Sequence, residues 1–423
     1  MRPNSGPYAF AVRMAGILAL ISVGAIVLLS GGPGSPRELS FTGTVYVESN
    51  ASAPGANQVL AFHYSGASLR PVTVTRYPTG GSGSRDLSNG GVLDADQQVM
   101  VDRSRMLLFA VNQGSDTVAV FGVGAGGTLT PVPGSPFAAG GLAPASVGLV
   151  GQTAVVADKA QDGVRPLAAR PAGYATFTVE PGGALRPAAP TVPLPPGSSP
   201  TQAFAVPGTD LVVSTEETGL LRTFRLRSGG TLVPGLGSPF ALPASVFPGA
   251  VRRSGVWPAG LSASPTAPVI YTGIPNLGEI AVYSYDAGGR LGFVASVGDR
   301  GASLPCWSAV SRDGRRLYTA NAGSDSVSVF DVGSDPRRPR QLQVLTLRGQ
   351  GNPWNMAIDD SGRFLFVVTP RAVRQIPAGQ GNTLHVLQVR ADGTLAEPAA
   401  SPTAIPVPVG VNPLGLAIVP GRG

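Results

Sequence analysis

The chain has 423 residues, of which 43% are hydrophobic and 13% are charged, and its formal net charge at pH 7 is +7. Glycine (58 residues) and proline (41 residues) together exceed a fifth of the chain, a composition typical of many short strands joined by tight turns. The positive charge comes from scattered arginines, without a basic stripe between aromatic residues, which argues against nucleic-acid binding. The single cysteine, Cys306, excludes an internal disulfide.

The N terminus has the pattern of an export signal. Arg2 and Arg13 flank the first residues, an apolar run covers 14–30, and a segment rich in glycine and proline follows. The run has no clean small-x-small cleavage site, and it is nearly long enough to remain as a membrane anchor. We therefore expect residues 1–30 to be a signal peptide or an anchor and residues 31–42 a flexible linker. The protein would then act outside the cytoplasm, either periplasmic, extracellular or membrane-anchored.

Two similar segments lie far apart in the chain, at residues 104–123 and 311–332. In each, a short apolar strand ends in an asparagine, a Gly-Ser-Asp turn follows, and an alternating apolar strand begins. Two near-copies at such a distance predict a repeat architecture.

Seven such units follow one another between residues 43 and 419. Each contributes about four short strands, which is one blade of a β-propeller. The first unit lacks its innermost strand, whereas the chain ends with an additional strand at residues 412–419. The sequence therefore predicts an all-β fold, a seven-bladed β-propeller of four-stranded antiparallel blades. Its ring would be closed by the C-terminal strand, which would hide the sheet edges from solvent.

The repeated phrases resemble those of a known group of proteins. Residues 317–330 resemble the YVTN-type propeller repeat, and residues 108–115, 211–216 and 305–307 match further phrases of the group. Over roughly 43–419 the chain is similar to the lactonase-like seven-bladed propellers, which include 6-phosphogluconolactonase and the carboxymuconate cyclases. It resembles in particular exported bacterial members without an assigned role. The resemblance implies the fold, whereas activity has to be argued from the site.

The chain departs from the enzymes of this group in its histidines. The resemblance implies that a lactonising or lactone-hydrolysing member uses a histidine, a carboxylate and arginines at the mouth of the central channel. In this chain the only histidines are His63 and His385, and both fall in the third strands of their blades. The usual acid–base residue is therefore missing from the predicted mouth.

One face of a propeller, the mouth face, is built from the turns between second and third strands and the loops that lead into the innermost strands. The candidate catalytic residues there are Glu216, which would polarise water, and Arg371, which would hold a developing oxyanion. All three tryptophans precede or begin innermost strands, and indoles beside amides suit a sugar-like or lactone ligand, or a peptide. The candidate ligand-binding residues are Asn112, Asp158, Glu217, Trp257, Trp307, Asn321, Asn352 and Trp354.

Structural roles compete for the same residues. Asparagine at a strand end commonly bonds its own turn, tryptophan packs between blades, and Cys306 fits a small buried side chain. The sequence has no His/Cys cluster and no acidic loop with calcium-binding spacing, and no phosphate-binding glycine loop precedes a helix. We therefore expect neither a metal nor a cofactor.

The sequence favours an exported, monomeric propeller that binds a small molecule, such as a sugar or lactone, or an envelope protein partner on its mouth face, without efficient catalysis. Membrane contact is expected only through the N-terminal segment. The first alternative is a lactone hydrolase like 6-phosphogluconolactonase, acting on a sugar-type lactone. The second is a structural scaffold of the cell envelope.

Overall fold

Seven antiparallel β-sheets make up the computed structural model of the protein. The structure describes residues 42–66, 71–84, 94–161, 171–244, 256–349, 351–370, 381–408 and 411–421. The predicted export signal and all but the last residue of the predicted linker therefore lie outside the described residues. The innermost strands of successive sheets are neighbours around a ring, so the predicted seven-bladed propeller is confirmed.

Each blade is formed by strands that are consecutive in the chain, except for the closing strand of blade 1. Blade 1 opens with β1 (Thr42–Glu48), β2 (Gln58–Ser65) and β3 (Pro71–Pro78). Blade 2 contains β4 (Val99–Asp102), β5 (Leu107–Asn112), β6 (Thr117–Val123), β7 (Leu129–Pro131) and β8 (Phe137–Ala138). Blade 3 contains β9 (Pro144–Val150), β10 (Thr153–Asp158), β11 (Gly173–Val179) and β12 (Leu185–Pro193). Blade 4 contains β13 (Phe204–Ala205), β14 (Leu211–Glu216), β15 (Leu220–Leu226), β16 (Leu232–Pro234) and β17 (Phe240–Ala241).

Blade 5 contains β18 (Leu261–Ala263), β19 (Val269–Ile274), β20 (Glu279–Tyr285) and β21 (Leu291–Gly298). Blade 6 contains β22 (Pro305–Val310), β23 (Arg316–Asn321), β24 (Ser326–Asp331) and β25 (Arg340–Thr346). Blade 7 contains β26 (Met356–Ile358), β27 (Phe364–Thr369), β28 (Thr383–Val389), β29 (Leu395–Ala396) and β30 (Thr403–Ala404), and β31 (Leu414–Pro420) ends the chain. Single turns of 3-10 helix cover Ala125–Gly127, Ser228–Gly230 and Pro275–Leu277. No helix within the described ranges has the length and apolar character needed to cross a membrane.

The C-terminal strand closes the ring as predicted. β31 is the innermost strand of blade 1, in the order β3-β2-β1-β31, with Val45 opposite Ile418 and Val47 opposite Leu416. Blade 1 also packs on blade 7 through a shared hydrophobic cluster. Blade 1 is thus built from both ends of the propeller, and β31 covers the edge of β1 that would otherwise be unpaired.

The outermost position of three blades differs from the simple four-strand pattern. In blades 2, 4 and 7 the third strand pairs with two short strands, β7 and β8, β16 and β17, and β29 and β30. A serine between each pair accepts a hydrogen bond at Oγ from a backbone N–H of the third strand, which holds the interruption in place. These bonds join Val120 to Ser135, Thr223 to Ser238 and Val386 to Ser401.

The core lies between neighbouring blades, and β5 shows why its sequence is apolar throughout. Leu107, Phe109 and Val111 pack in the cluster shared with blade 3, whereas Leu108 and Ala110 pack in the cluster shared with blade 1. All five side chains are buried. A strand covered on both faces reads as a continuous apolar run, which is the pattern seen in the repeats.

Candidate functional site

A cavity of about 280 Å³ lies on the mouth face, where blades 4 to 7 approach the axis. Its wall combines indole rings with carboxylates, an amide and the only thiol of the chain. Four of the residues predicted to bind ligand line this cavity together. The lining residues that carry chemistry are Asp94, Glu217, Trp257, Cys306, Asn352 and Trp354.

The propeller topology brings these residues together from distant parts of the chain. Glu217 directly follows β14, the second strand of blade 4, and Asp94 lies in the loop that leads into β4. Trp257 and Trp354 precede the innermost strands of blades 5 and 7, and Cys306 lies in the innermost strand of blade 6. Because each position is at the mouth end of its blade, the side chains converge.

Lys159 is the only lysine of the chain, and it stands behind the acidic end of this cavity. It follows β10 in blade 3 and is fully buried. Its Nζ donates hydrogen bonds to Glu217 Oε1 and, over 2.9 Å, to the backbone carbonyl oxygen of Asp94. A buried ammonium needs such partners to offset its desolvation. Lys159 therefore fixes both the Glu217 carboxylate and the Asp94 loop.

The two carboxylic acids of the cavity hold their protons more tightly than usual. Burial raises the pKa of Glu217 to about 7, the Lys159 ammonium opposes this rise, and the Asp94 carboxylate adds to it. Burial also raises the pKa of Asp94, again against the pull of Lys159. A carboxyl group with a pKa near neutrality can both accept and donate a proton at physiological pH, as general acid–base chemistry requires.

Cys306 contributes a neutral thiol to the same cavity. Its Sγ donates to the carbonyl oxygen of Leu304 at 3.3 Å, and the residue is almost fully buried. Burial raises the pKa of the thiol well above its usual value, and the nearby Asp94 carboxylate adds to the shift. The thiolate is the nucleophilic form, so this environment suits the expected small buried side chain and not a nucleophile.

The three tryptophans play different parts. Trp257 is 48% exposed and forms an open wall of the cavity, and Trp354 lines it while being largely buried. Trp307 is fully buried and packs on Trp354, with ring centroids 6.0 Å apart and planes inclined at 49°. A Cβ atom built at Gly260 would lie 2.2 Å from the Trp307 ring. The indole therefore occupies the space that a side chain at position 260 would need. Trp307 is therefore a packing residue, and its predicted place in the ligand surface is corrected.

Glu216, the predicted catalytic carboxylate, does not line the cavity. It is fully buried, its Oε1 pairs with the guanidinium of Arg222 in β15, and its Oε2 accepts a hydrogen bond from Thr218 Oγ1 at 3.1 Å. The side chains of adjacent residues in an extended chain point to opposite sides. At the end of β14, the side chain that faces the cavity is therefore that of Glu217. The structure thus gives Glu216 a partner within its own blade. Arg371, its predicted catalytic companion, lies outside the described residues.

Asn112 and Asn321, which were predicted to bind ligand, hold polar contacts inside the protein instead. Asn112 accepts hydrogen bonds at Oδ1 from Asn57 Nδ2 at 2.9 Å and from Thr79 Oγ1 at 2.6 Å, which ties blade 2 to blade 1. Asn321 donates from Nδ2 to Ser328 Oγ at 2.8 Å within blade 6. Both asparagines are fully buried, so their amides are used for the fold.

Asp158 is likewise buried, beside a glycine that makes room for it. A Cβ atom at Gly141 would lie 2.5 Å from the Asp158 carboxylate. The sequence analysis did not identify Asp94, and it assigned no role to Lys159. The signal available for Lys159 is its uniqueness, since every other basic side chain of the chain, apart from the two histidines, is an arginine.

Both histidines lie in strands away from the cavity wall, and neither lines the cavity. His63 in β2 contacts Thr44 Oγ1 through Nδ1 at 3.0 Å. His385 in β28 is buried, and its Nδ1 lies 2.7 Å from Glu397 Oε1. The described part of the mouth cavity therefore offers carboxylates for proton transfer, without an imidazole.

Comparisons with known proteins agree with this fold. A family model described as "Lactonase, 7-bladed beta-propeller" matches residues 279–375. The structure of a periplasmic gluconolactonase from Pseudomonas aeruginosa superposes with a TM-score of 0.66 at 16% sequence identity, covering 90% of this chain and 100% of that one. The chain therefore has a seven-bladed propeller fold, and part of its sequence matches the lactonase family model.

Other solved propellers extend the comparison. A proposed 6-phosphogluconolactonase from Bacteroides fragilis gives a TM-score of 0.63 at 16% identity, covering 92% of this chain and 100% of its own chain. A hypothetical selenium-binding protein from Sulfolobus tokodaii gives 0.61 at 10% identity, covering 91% and 94%. No curated protein matches the sequence. At these identities the likeness shows the fold alone, and proteins described in such different terms share it.

Proposed function

We propose that this lactonase-like propeller binds a small polar molecule with one apolar face, such as a sugar or a sugar-type lactone, in its mouth cavity. The proposal rests on one observation: the exposed Trp257 ring and the Glu217 and Asp94 carboxylates line the same cavity. The cavity volume of about 280 Å³ is close to the lower end of the ~300–1,000 Å³ usual for small-molecule sites. A cavity of this size fits a small molecule better than a segment of a protein partner.

The lining supplies complementary contacts for such a ligand. The indole of Trp257 offers a flat apolar surface, and the carboxylates of Glu217 and Asp94 accept hydrogen bonds from hydroxyl groups. Asn352 is half-buried and lines the cavity, and its side-chain amide makes no hydrogen bond with a described residue. That amide can donate to a carbonyl or ring oxygen. Ordered donors and acceptors around one aromatic wall give orientation as well as affinity.

Hydrolysis of a bound lactone is the second candidate function, and the pKa of Glu217, raised to about 7, is the observation that favours it. The Glu217 carboxylate would take a proton from water as the water oxygen bonds to the lactone carbonyl carbon. The ring C–O bond then breaks, and the departing alkoxide recovers the proton from Glu217, which leaves a hydroxy acid. The Asn352 amide is the candidate donor to the oxyanion.

The site of action proposed for the protein is outside the cytoplasm. The sequence of residues 1–30 supports this proposal, since an arginine-flanked apolar run precedes a glycine- and proline-rich segment. Fractionation of cells that express the full chain tests it. Recovery of the propeller outside the cytoplasm is expected, and a cytoplasmic protein with the intact N terminus would contradict it.

Binding and hydrolysis can be tested separately with the full chain. Tryptophan fluorescence is titrated with a panel of neutral hexoses, aldonolactones and muconolactone, and turnover of the lactones is followed by acid release. Saturable binding that Trp257→Ala weakens at least about tenfold supports the mouth site. Turnover that Glu217→Gln removes, while Glu180→Gln on the exposed surface retains it, assigns hydrolysis. Saturable binding without turnover restricts the function to binding, and a panel without any saturable ligand overturns the proposal.

A further inference from the structure

A second cavity, of about 370 Å³, runs along the propeller axis between the innermost strands. Asp96, Gln97 and Gln202 form its end nearest the mouth, and Arg103 and Val310 form the end at the opposite face. This axial channel and the mouth cavity have no lining residue in common.

Hydrogen bonds between side chains of different blades tie together the mouth end of the channel. Asn355 Nδ2 donates to Asp96 Oδ1 at 2.7 Å, and Gln202 Nε2 donates to Gln97 Oε1 at 2.9 Å. Asn355 is anchored in turn, because its Oδ1 accepts a hydrogen bond from the Gly415 N–H at 2.7 Å. These hydrogen bonds form a layer of linked polar side chains at the mouth end of the channel.

The side chain of Asp96 places a carboxylate at the mouth end of this channel. Its Oδ1 accepts hydrogen bonds from the backbone N–H of Gln97 at 2.8 Å and from Asn355, and neither partner carries a charge. Its Oδ2 makes no hydrogen bond with a described residue. Burial raises the pKa of Asp96 to about 6, which still leaves the carboxylate ionised at pH 7.5. A half-buried anion without a cationic partner favours binding of a cation, because a positive charge offsets the cost of removing the carboxylate from water.

The rest of the channel is mostly apolar. Phe204, Leu261 and Leu416 contribute side chains to its wall. Arg103 is the one cationic residue among those described along the channel. It lies at the far end, where it pairs with Asp360 and donates to the carbonyl oxygen of Ile418 at 3.1 Å. Its charge is therefore engaged away from Asp96.

We propose that the axial channel is a second binding site, for a small primary alkylammonium that enters from the face opposite the mouth. The ammonium group donates charge-assisted hydrogen bonds to Asp96, and the alkyl chain lies along the apolar strands. The proposal does not rest on the ligand proposed for the mouth, because the two cavities share no lining residue.

Methionine methyl NMR on the full chain tests this site. The chain has five methionines; Met100 and Met356 line the channel, whereas Met106 does not. With methyl-labelled methionine at pH 7.5, n-butylammonium chloride should shift the Met100 and Met356 signals and leave the Met106 signal in place. Tryptophan fluorescence should stay constant, since all three tryptophans lie toward the mouth.

Two variants separate charge from space. Asp96→Asn keeps the shape and the acceptor for Gln97, and it should weaken n-butylammonium binding at least about tenfold because the ion pair is lost. Ala309→Leu narrows the channel without changing charge and should weaken binding as well. An unchanged Met106 signal verifies the fold of each variant. Equal shifts with sodium butyrate or potassium chloride, or no shift with n-butylammonium, would overturn the proposal.

Discussion

Lys159 and Glu217 join blades 3 and 4 through a hydrogen bond from the ammonium to the carboxylate, across 58 residues of sequence. Lys159 is fully buried, whereas the Glu217 side chain keeps 15% of its surface exposed. The pair therefore has one member in the protein interior and one at the cavity wall. A fixed partner restricts the rotamers of Glu217, so its exposed surface has a defined position in the cavity wall.

Replacing Lys159 with methionine should destabilise the protein in a pH-dependent way. Removal of one partner from a buried ion pair costs about 3–5 kcal/mol, because the other charge remains without compensation. Lys159→Met should therefore lower the free energy of unfolding by about 3 kcal/mol at pH 8. At pH 5 the loss should be smaller, since Glu217 then carries its proton. Urea denaturation at both pH values measures the difference.

The double variant Lys159→Met/Glu217→Gln supplies the control for this prediction. If the loss in Lys159→Met comes from an uncompensated carboxylate, the second substitution should recover part of it at pH 8. Equal losses at pH 5 and pH 8, without recovery in the double variant, would show that Lys159 contributes only by packing.

The sequence placed an acidic residue at the mouth but could not distinguish Glu216 from Glu217. The two are adjacent at the end of β14, and the side that each faces depends on where the strand stops and how the turn leaves it. Their real partners, Arg222 and Lys159, become neighbours only after the sheets and blades are packed. The polar residues of a strand end are thus predictable as a group, while their individual roles require the tertiary structure.

The fold was more predictable than the site because it depends on local patterns that recur. The missing first strand of unit one and the additional strand at the end of the chain predicted how the ring closes. The position of β31 in blade 1 confirms this prediction. The split outer strands were not predicted, since β8, β17 and β30 contain two residues each and have no periodicity. Likewise the mouth position of Trp307 was visible in the sequence, but its packing against Gly260 was not.

Trp257 and Trp307 should respond in opposite ways to truncation. Trp307→Ala removes a fully buried indole and should lower the free energy of unfolding by about 3–5 kcal/mol. Trp257→Ala removes a half-exposed ring, so stability should change little while binding at the mouth is weakened. Guanidinium denaturation and ligand titration of both variants measure these effects. Equal destabilisation by the two substitutions would contradict the different burial of the two rings.

Glu48 should make the protein less stable as the pH rises above about 4.5. This residue is fully buried; its Oε1 accepts a hydrogen bond from Asn57 Nδ2 at 2.6 Å, and its Oε2 has no partner among the described residues. Burial raises its pKa well above the usual value of 4.5. The folded state therefore binds the proton more tightly than the unfolded state does. The resulting stability is complete below pH 4.5 and is lost as the pH approaches the folded pKa.

The Glu48→Gln variant isolates this contribution. It cannot titrate at position 48, so its free energy of unfolding should fall less than that of the wild type between pH 5 and pH 8. Denaturation curves across this range measure the two slopes, and the exposed Glu180→Gln serves as the matched control. Parallel slopes for wild type and Glu48→Gln would show that Glu48 does not retain its proton on folding.

Removal of β31 should abolish the fold, although it deletes only the end of the chain. The strand buries Leu414, Leu416, Ile418 and Val419 and pairs along its length with β1. Burial of four such side chains at about 1.5–3 kcal/mol each is comparable to the whole stability of a typical protein, about 5–15 kcal/mol. A chain that ends at Pro413 should therefore give no cooperative thermal unfolding, whereas one that ends at Gly421 should unfold like the wild type.

Addition of a synthetic 411–421 peptide to the shorter chain should restore a cooperative transition, because it supplies the missing inner strand of blade 1. A shorter chain with the wild-type unfolding temperature would mean that the ring does not need its C-terminal strand.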